Sequence, residues 1–254
     1  MNAKVTISTA ILLTVTFCEA NDSKWEDSYV SIYGGWGATD SGTIEGAATD
    51  YEYVSTIIIP VYQELGTYNI HNRFESDNSF LVGIRAGAWL RRDVDQWSER
   101  PHDEYSGWGA AFDVSYFKID SESSDTTMHI VPASFLMLYR HPLQVSEGFP
   151  FGRIQPYGGI GFALVVSRIS TPLTHYYYNG PTTIATLGYG GSIHAGCTWK
   201  LNQHMGFFIE YRYLVAKLEW EIDEGRNTHY YATEGEIDTS VSTHQLLAGV
   251  SFSL

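Results

Sequence analysis

Several kinds of residue and segment are scarce in this sequence, and each scarcity excludes a class of protein. Only two of the 254 residues are cysteine, which excludes a disulfide scaffold and a cysteine-based zinc module. Lysine and arginine total 15 against 29 aspartate and glutamate residues, and the net charge of −14 argues against a nucleic-acid binder. No run of about 18 apolar residues follows the N-terminus, which excludes a helical membrane protein.

Residues 1–20 are typical of a secretory signal peptide. A short basic start precedes an apolar stretch from Val5 to Phe17, and small residues follow at Cys18 and Ala20. This order predicts cleavage after Ala20 and export of a mature domain that spans 21–254. A buried helix or a membrane anchor is the alternative, but the apolar run is too short to span a membrane comfortably.

Strict alternation of residues with a period of two runs through the mature chain. One face of each predicted strand is apolar, and the other is rich in Gly, Ser, Ala and Thr. Strands of about ten residues or more are long enough to cross a bilayer at a tilt, whereas soluble sandwiches usually have shorter ones. Small residues also fit the narrow interior of a closed eight-stranded barrel. The pattern therefore predicts eight strands, at about 28–38, 79–91, 108–117, 130–141, 154–168, 187–200, 204–217 and 245–254.

The fold class that follows is an all-β, eight-stranded, antiparallel up-and-down transmembrane β-barrel. If the N-terminus is periplasmic, the outer connections fall at about 39–78, 119–127, 169–183 and 218–239, and the inner ones at 92–104, 142–153 and 201–203. Longer outer than inner connections are typical of such barrels. Aromatic residues near the strand ends predict the two membrane girdles: Trp36, Trp89, Trp108, Trp199, Tyr139 and Tyr213.

Four segments carry a resemblance to a known family: Tyr29–Gly35, Gln155–Gly161, Glu210–Tyr213 and Leu247–Phe252. On these segments the chain resembles the eight-stranded outer-membrane β-barrel superfamily of Gram-negative bacteria, which includes the outer-membrane protein A, opacity-type and attachment-invasion barrels. The resemblance covers 27–254. It implies a porin-like fold in the cell outer membrane, with contact to outer-membrane lipid and lipopolysaccharide. The last of the four segments is similar to the signal through which the barrel-assembly machinery recognises such proteins.

Ionisable side chains also fall on the inward faces of the predicted strands. A charge inside a narrow barrel requires a partner, because an unpaired buried charge costs several kcal/mol. We therefore expect a salt-bridge network that fills the lumen, and a proton or ion relay along the same groups is the alternative. The predicted network consists of Arg85, Asp113, Arg140, His194, Glu210 and Arg212.

The outer connections carry almost all of the net charge. Residues 39–79 hold seven acidic residues against one arginine, residues 218–239 hold the same balance, and 120–125 add three acidic residues. One interpretation is a solvated surface. The other is contact with lipopolysaccharide through divalent cations, or with a basic host surface. No loop has the Asp-x-Asp-x-Asp-Gly spacing of a calcium site, so we predict no metal or cofactor site.

The tetrapeptide Thr-His-Tyr-Tyr occurs in two outer connections, at 174–177 and 228–231. Tyrosine offers a large amphipathic contact area at low entropic cost, which suits adhesion to a surface ligand; chance repetition or an upper girdle is the alternative. The apolar run Ile57–Val61 predicts a strand extension above the membrane, or packing over the barrel mouth. The candidate contact residues are His175, Tyr176, Tyr177, His229, Tyr230 and Tyr231.

An enzyme that modifies lipid A is a second functional class, because some barrels of this kind are acylases or deacylases. Such chemistry needs a nucleophilic serine, a histidine within hydrogen-bond reach and an orienting acid. The His-x-Ser-Asn context of the deacylases is missing. Suitable spacing is found for His244 with Ser242 and Ser240 near the end of the last strand, with Glu219 or Glu221 as the acid, and for His194 with Ser192 deeper in the barrel.

The prediction that best accounts for these patterns is a non-enzymatic outer-membrane barrel. Its role would be structural or one of surface interaction, carried by acidic, Tyr-rich extracellular loops. Lipid A hydrolysis and passage of a small apolar solute remain the alternatives.

Overall fold

The part of the chain that the structure describes is almost entirely β-strand. This computed structural model describes residues 25–40, 42–55, 60–74, 79–90, 107–120, 127–149, 151–174, 179–224 and 231–254, so the predicted signal peptide lies outside it. Within these ranges no helix is long and apolar enough to cross a membrane. The strands are β1 (Trp25–Thr39), β2 (Gly42–Ser55), β3 (Pro60–Phe74), β4 (Ser79–Leu90), β5 (Gly107–Asp120), β6 (Thr127–Arg140), β7 (Ile154–Thr174), β8 (Asn179–Lys200), β9 (Met205–Glu224) and β10 (Tyr231–Ser253).

Eight of these strands close into an antiparallel ring. Each pairs with the next in the order β1-β4-β5-β6-β7-β8-β9-β10. The ring closes where β10 pairs with β1, from Tyr29 opposite Ser253 to Thr39 opposite Thr243. Closure leaves the ring without an open sheet edge, which satisfies the backbone hydrogen bonds of every ring strand. The predicted eight-stranded antiparallel barrel is confirmed.

The remaining two strands, β2 and β3, extend one side of the ring. β2 pairs with β10 directly beyond the end of β1, since Thr39 faces Thr243 and Ile44 faces Thr239. Both β1 and β2 run antiparallel to β10, so β2 continues the direction of β1, and β3 returns beside β2. The outer connection predicted at 39–78 is therefore a hairpin of two strands rather than a loop.

Two ring strands also extend beyond their predicted ends at the outer end of the barrel. β7 reaches Thr174 and β9 reaches Glu224, so the two connections that follow them shrink to 175–178 and 225–230, outside the described residues. Of the apolar run predicted to extend a strand, Pro60 and Val61 begin β3, and 57–59 lie outside the described residues. We call the sheet above the ring the outer sheet: β3, β2, residues 231–239 of β10 and residues 218–224 of β9.

The interior of the ring has two halves of different chemistry. On β9 the inward side chains change from Glu210 and Arg212 to Leu214 and then Trp220 toward the outer end. Ionic groups are therefore concentrated in the inner half, and packed hydrocarbon predominates in the outer half, where its burial favours folding at about 25 cal/mol per Å². The apolar plug includes Leu81, Phe117, Ile119, Met128, Ile130, Val165, Ile169, Leu214, Leu218, Trp220, Ile237 and Val241.

The exterior of the ring is an apolar belt. Among the described residues, no aspartate, glutamate, lysine or arginine faces outward on β1 from Val30 to Trp36, on β4 from Phe80 to Leu90, on β5 from Trp108 to Tyr116, or on β8 from Tyr189 to Trp199. Many large apolar side chains in this belt are more than half exposed, including Ile32, Phe135, Ile160 and Leu187. A continuous apolar surface of this kind is what a bilayer-spanning barrel presents to lipid.

One of the predicted girdle residues was assigned to the wrong face. Trp36, Trp108, Trp199 and Tyr139 are exposed on the outside of the ring. Trp89 is only 7% exposed and stacks on Tyr29 inside the lumen, 6.0 Å between ring centroids. The cause is the alternation of β4, which turns Leu81, Arg85 and Trp89 inward together.

Candidate functional site

The core of the lumen site is an ion-paired arginine. Arg85 lies opposite Asp113 in the β4–β5 register, and its Nε donates to Asp113 Oδ2 at 2.9 Å. Its two Nη atoms reach across the lumen and donate to both carboxylate oxygens of Glu210, at 2.6 and 2.7 Å. This paired geometry is the strongest arrangement that an arginine and a carboxylate form.

A second arginine completes the charge balance. Arg212 Nη2 donates to Asp113 Oδ2 at 3.0 Å, and its Nη1 donates to Ser115 Oγ at 3.2 Å. Tyr33 binds the same pair, because its hydroxyl donates to Asp113 Oδ1 at 2.8 Å and accepts from Arg212 at 3.0 Å. Two guanidinium groups thus face two carboxylates, and all four residues are at most 3% exposed.

His194 joins this cluster through Glu210. Its Nδ1 lies 2.9 Å from Glu210 Oε1, and its Nε2 lies 2.9 Å from Ser192 Oγ. The order serine, histidine and carboxylate is that of an acyl-transfer triad. However, a Cβ atom at Gly161 would lie only 2.7 Å from Ser192 Oγ, and Ser192 is 5% exposed. The Ser192 hydroxyl is therefore enclosed within the packed lumen, and the three groups form part of its buried hydrogen-bond network.

Arg140, the sixth predicted member, bonds a different set of residues near the inner end. Its guanidinium carbon lies 4.5 Å from the centroid of the Trp89 ring, and its Nη1 donates to Gln155 Oε1 at 3.4 Å. A cavity of about 30 Å³ lies in this region, lined by Trp89, Gln155 and Tyr157 among others. That volume holds one or two water molecules. The structure therefore brings Arg85, Asp113, His194, Glu210 and Arg212 together and places Arg140 beside another group.

Two tyrosines of the cluster were missed by the sequence reasoning. Tyr33 binds Asp113, and Tyr157 donates to Glu210 Oε2 at 2.7 Å. The available signal was parity: Tyr29, Tyr33 and Tyr157 fall on the same inward face that carries the charges.

A second charged site lies on the outward face of the outer sheet. In one row across three strands, Glu45 faces Asp238, and Asp238 faces Glu219; in the next row Glu236 faces Glu221. Carboxylate oxygens of Glu219, Glu236 and Asp238 lie within 4.8 Å of one another. Lys217 Nζ donates to Glu219 at 2.6 Å. We call these five exposed carboxylates, Glu45, Glu219, Glu221, Glu236 and Asp238, the acidic face.

The surface around His244 differs from the predicted catalytic group. Tyr211 Oη lies 2.6 Å from His244 Nδ1, and Asp40 Oδ2 lies 3.8 Å from Nε2. Glu219 lies opposite Asp238, six positions farther along β10, so the proposed acid at Glu219 or Glu221 is wrong; Asp40 is the nearby carboxylate. Among the described residues no hydrogen bond joins His244 to Ser240 or Ser242.

Most of the Tyr-rich contact candidates cannot be placed. His175, Tyr176 and Tyr177 lie outside the described residues, as do His229 and Tyr230. Tyr231 begins β10 and lies opposite Glu52 of β2.

No family model matches the chain, and no curated protein matches it. Among solved structures it is similar to Neisserial surface protein A, with 18% identity, 84% of this chain and 97% of that chain covered, and a TM-score of 0.39. It is also similar to the outer membrane protein OprG from Pseudomonas aeruginosa, with 14% identity, 92% of this chain and 99% of that chain covered, and a TM-score of 0.45. For the attachment invasion locus protein Ail of Yersinia pestis, the identity is 13%, 89% of this chain and 100% of that chain are covered, and the TM-score is 0.34. The strand pairing of this chain, rather than these distant likenesses, establishes it as a closed, antiparallel, eight-stranded β-barrel.

Proposed function

We propose that the protein is a non-enzymatic barrel of the bacterial outer membrane whose acidic face binds a cationic surface ligand. The observation that carries this proposal is the row Glu45, Asp238 and Glu219, three carboxylates directly opposite one another on neighbouring strands. Like charges in that position destabilise a sheet. A surface that keeps them at this cost is suited to a ligand of opposite charge.

The apolar belt and the predicted signal peptide both support the location. The belt requires a hydrocarbon environment, and a closed barrel is the form in which strands cross one. The filled interior supports a role on the outside of the barrel. The apolar plug occupies the outer half of the lumen, and the lumen network occupies the inner half, next to a cavity of only about 30 Å³.

The electrostatics of the acidic face favour a cationic partner. Its five carboxylates project from three adjacent strands, and Lys217 is bound to one of them. A surface dominated by one sign of charge raises the local concentration of oppositely charged ligands and speeds their association. Because these groups are exposed, the attraction is screened by salt over about 8–10 Å at 0.10–0.15 M.

A binding assay with a defined cation tests the proposal. The purified barrel in a neutral detergent is titrated with a fluorescent decalysine peptide at low and high salt. We expect the variant Glu219→Gln, Glu236→Gln, Asp238→Asn to bind at least about tenfold more weakly at low salt. The matched control removes three exposed carboxylates elsewhere: Glu64→Gln, Asp120→Asn and Glu147→Gln. Equal binding by the two variants would contradict the proposal.

A further inference from the structure

A row of basic residues lies on the side of the barrel away from the acidic face. Lys118 of β5 faces His129 of β6, and His129 faces Arg168 of β7. In the ring order, β6 is four strands from β10, so this row lies across the barrel from the acidic face. Lys118 and Arg168 are exposed, and His129 is half-buried. Directly opposite residues place their Cβ atoms about 5 Å apart, so the row spans about 10 Å. We call it the basic row.

The basic row has donors that bind no other group among the residues that the structure describes. In the part of the chain that the structure describes, no carboxylate lies within ion-pair distance of Arg168, which has five N–H donors. Lys118 Nζ donates to Asp120 at 2.7 Å, and this bond lowers the pKa of the Asp120 carboxyl. The ammonium group keeps two further donors.

A tyrosine fixes the position of the histidine at the centre of the row. Tyr116 Oη lies 2.8 Å from His129 Nδ1, and the two rings stack at a centroid distance of 6.1 Å with an interplanar angle of 22°. The ring is thereby held between the two cations. Three cationic or hydrogen-bonding side chains on a rigid sheet are suited to an anion with several acceptor oxygens.

Directly below the basic row the surface is apolar. Tyr116, Val166 and Leu164 are the next outward residues toward the middle of the belt, and each is at least 41% exposed. A ligand that covers both surfaces has an anionic group at one end and hydrocarbon at the other. We propose that the basic row binds the phosphate group of an outer-leaflet glycolipid, whose acyl chains lie along Val166 and Leu164. This rests on the proposed function, because it requires the belt to lie in the outer membrane.

The test compares lipid binding by charge variants. Native mass spectrometry measures retention of lipid A, and of lipid A stripped of its phosphates, by the barrel in a neutral detergent. We expect Lys118→Gln, Arg168→Gln to bind lipid A at least about tenfold more weakly, because two charge-assisted contacts are lost. Lys217→Gln removes an exposed lysine on the opposite side, where Glu219 already binds it, and should bind like the wild type. The wild type should also retain lipid A without phosphates more weakly than lipid A that carries them.

Three outcomes would overturn the inference. The first is equal lipid A binding by the double variant and the wild type. The second is full competition by inorganic phosphate at the same concentration, which would indicate a site for the free anion. In the third, the double variant loses a protein dimer from the mass spectrum rather than a bound lipid. That result would make the acidic face of a second copy the occupant of the basic row. Folding of every variant is checked separately by its heat-dependent gel shift and by its insertion into liposomes. A barrel that inserts but binds lipid A with and without phosphates equally well refutes only this inference and not the proposed membrane location.

Discussion

Replacing Glu210 by glutamine should strongly destabilise the barrel, because it removes one of two negative charges from the lumen cluster. Glu210 is 0% exposed and accepts hydrogen bonds from Arg85, His194 and Tyr157. Without its charge, the two guanidinium groups share only Asp113, and a net positive charge stays buried. Removing one partner of a buried pair in this way costs about 3–5 kcal/mol. With a denaturant slope of about 2 kcal/mol per M, the urea midpoint should fall by about 1.5–2.5 M.

The measurement is urea unfolding in lipid vesicles, followed by tryptophan fluorescence and by the heat-dependent gel shift. Glu221→Gln is the matched control, since it makes the same change on the same strand at an exposed position and should shift stability by less than about 0.5 kcal/mol. Replacing Arg85 and Glu210 together by methionine restores neutrality and should recover much of the loss. The reasoning is refuted if Glu210→Gln unfolds at the wild-type midpoint, or if the double variant is less stable than the single one.

Two further predictions test the packing and the orientation of the barrel. Gly83→Ala should destabilise the barrel by about 1–3 kcal/mol, because the added Cβ would meet the ring of Tyr33, whose hydroxyl binds Asp113. Gly66→Ala is the control, because its Cβ would enter open space and should leave stability unchanged. Urea midpoints that fall equally in both variants would contradict this. Cys197 faces outward in the belt, so in liposomes a charged maleimide should label it only after detergent is added. A Cys197→Ser, Glu236→Cys variant carries its thiol on the outer sheet, beyond the belt, and should label in both conditions. Rapid labelling of Cys197 in liposomes would place that face in water.

The fold could be predicted from the sequence where one physical rule acted alone. A side-chain period of two, sustained over ten residues, is imposed by the contrast between lipid and lumen, and it located all eight ring strands. The rule failed beyond the belt, where the outward face of a strand meets water instead of lipid and only the inward face, as at Trp220 and Ile237, stays buried. In the hairpin of β2 and β3, polar, tyrosine and small residues are mixed along both strands, so no sustained apolar alternation marks it. Trp89 shows the other kind of failure, since an aromatic side chain near a strand end suits either face.

The lumen and the outer surface differ in how far they could be predicted, for a physical reason. Parity alone turns Arg85 and Glu210 inward, but their contact joins residues 125 positions apart in sequence across the lumen. Charge balance inside a closed ring still requires that they meet, so composition constrains the answer. Nothing similar constrains the outer surface, because exposed charges can remain solvated. Only the strand register shows that Lys118, His129 and Arg168 form one row while Glu45, Asp238 and Glu219 form another across the barrel. One side of the barrel therefore attracts anionic headgroups, and the other side repels them unless cations intervene.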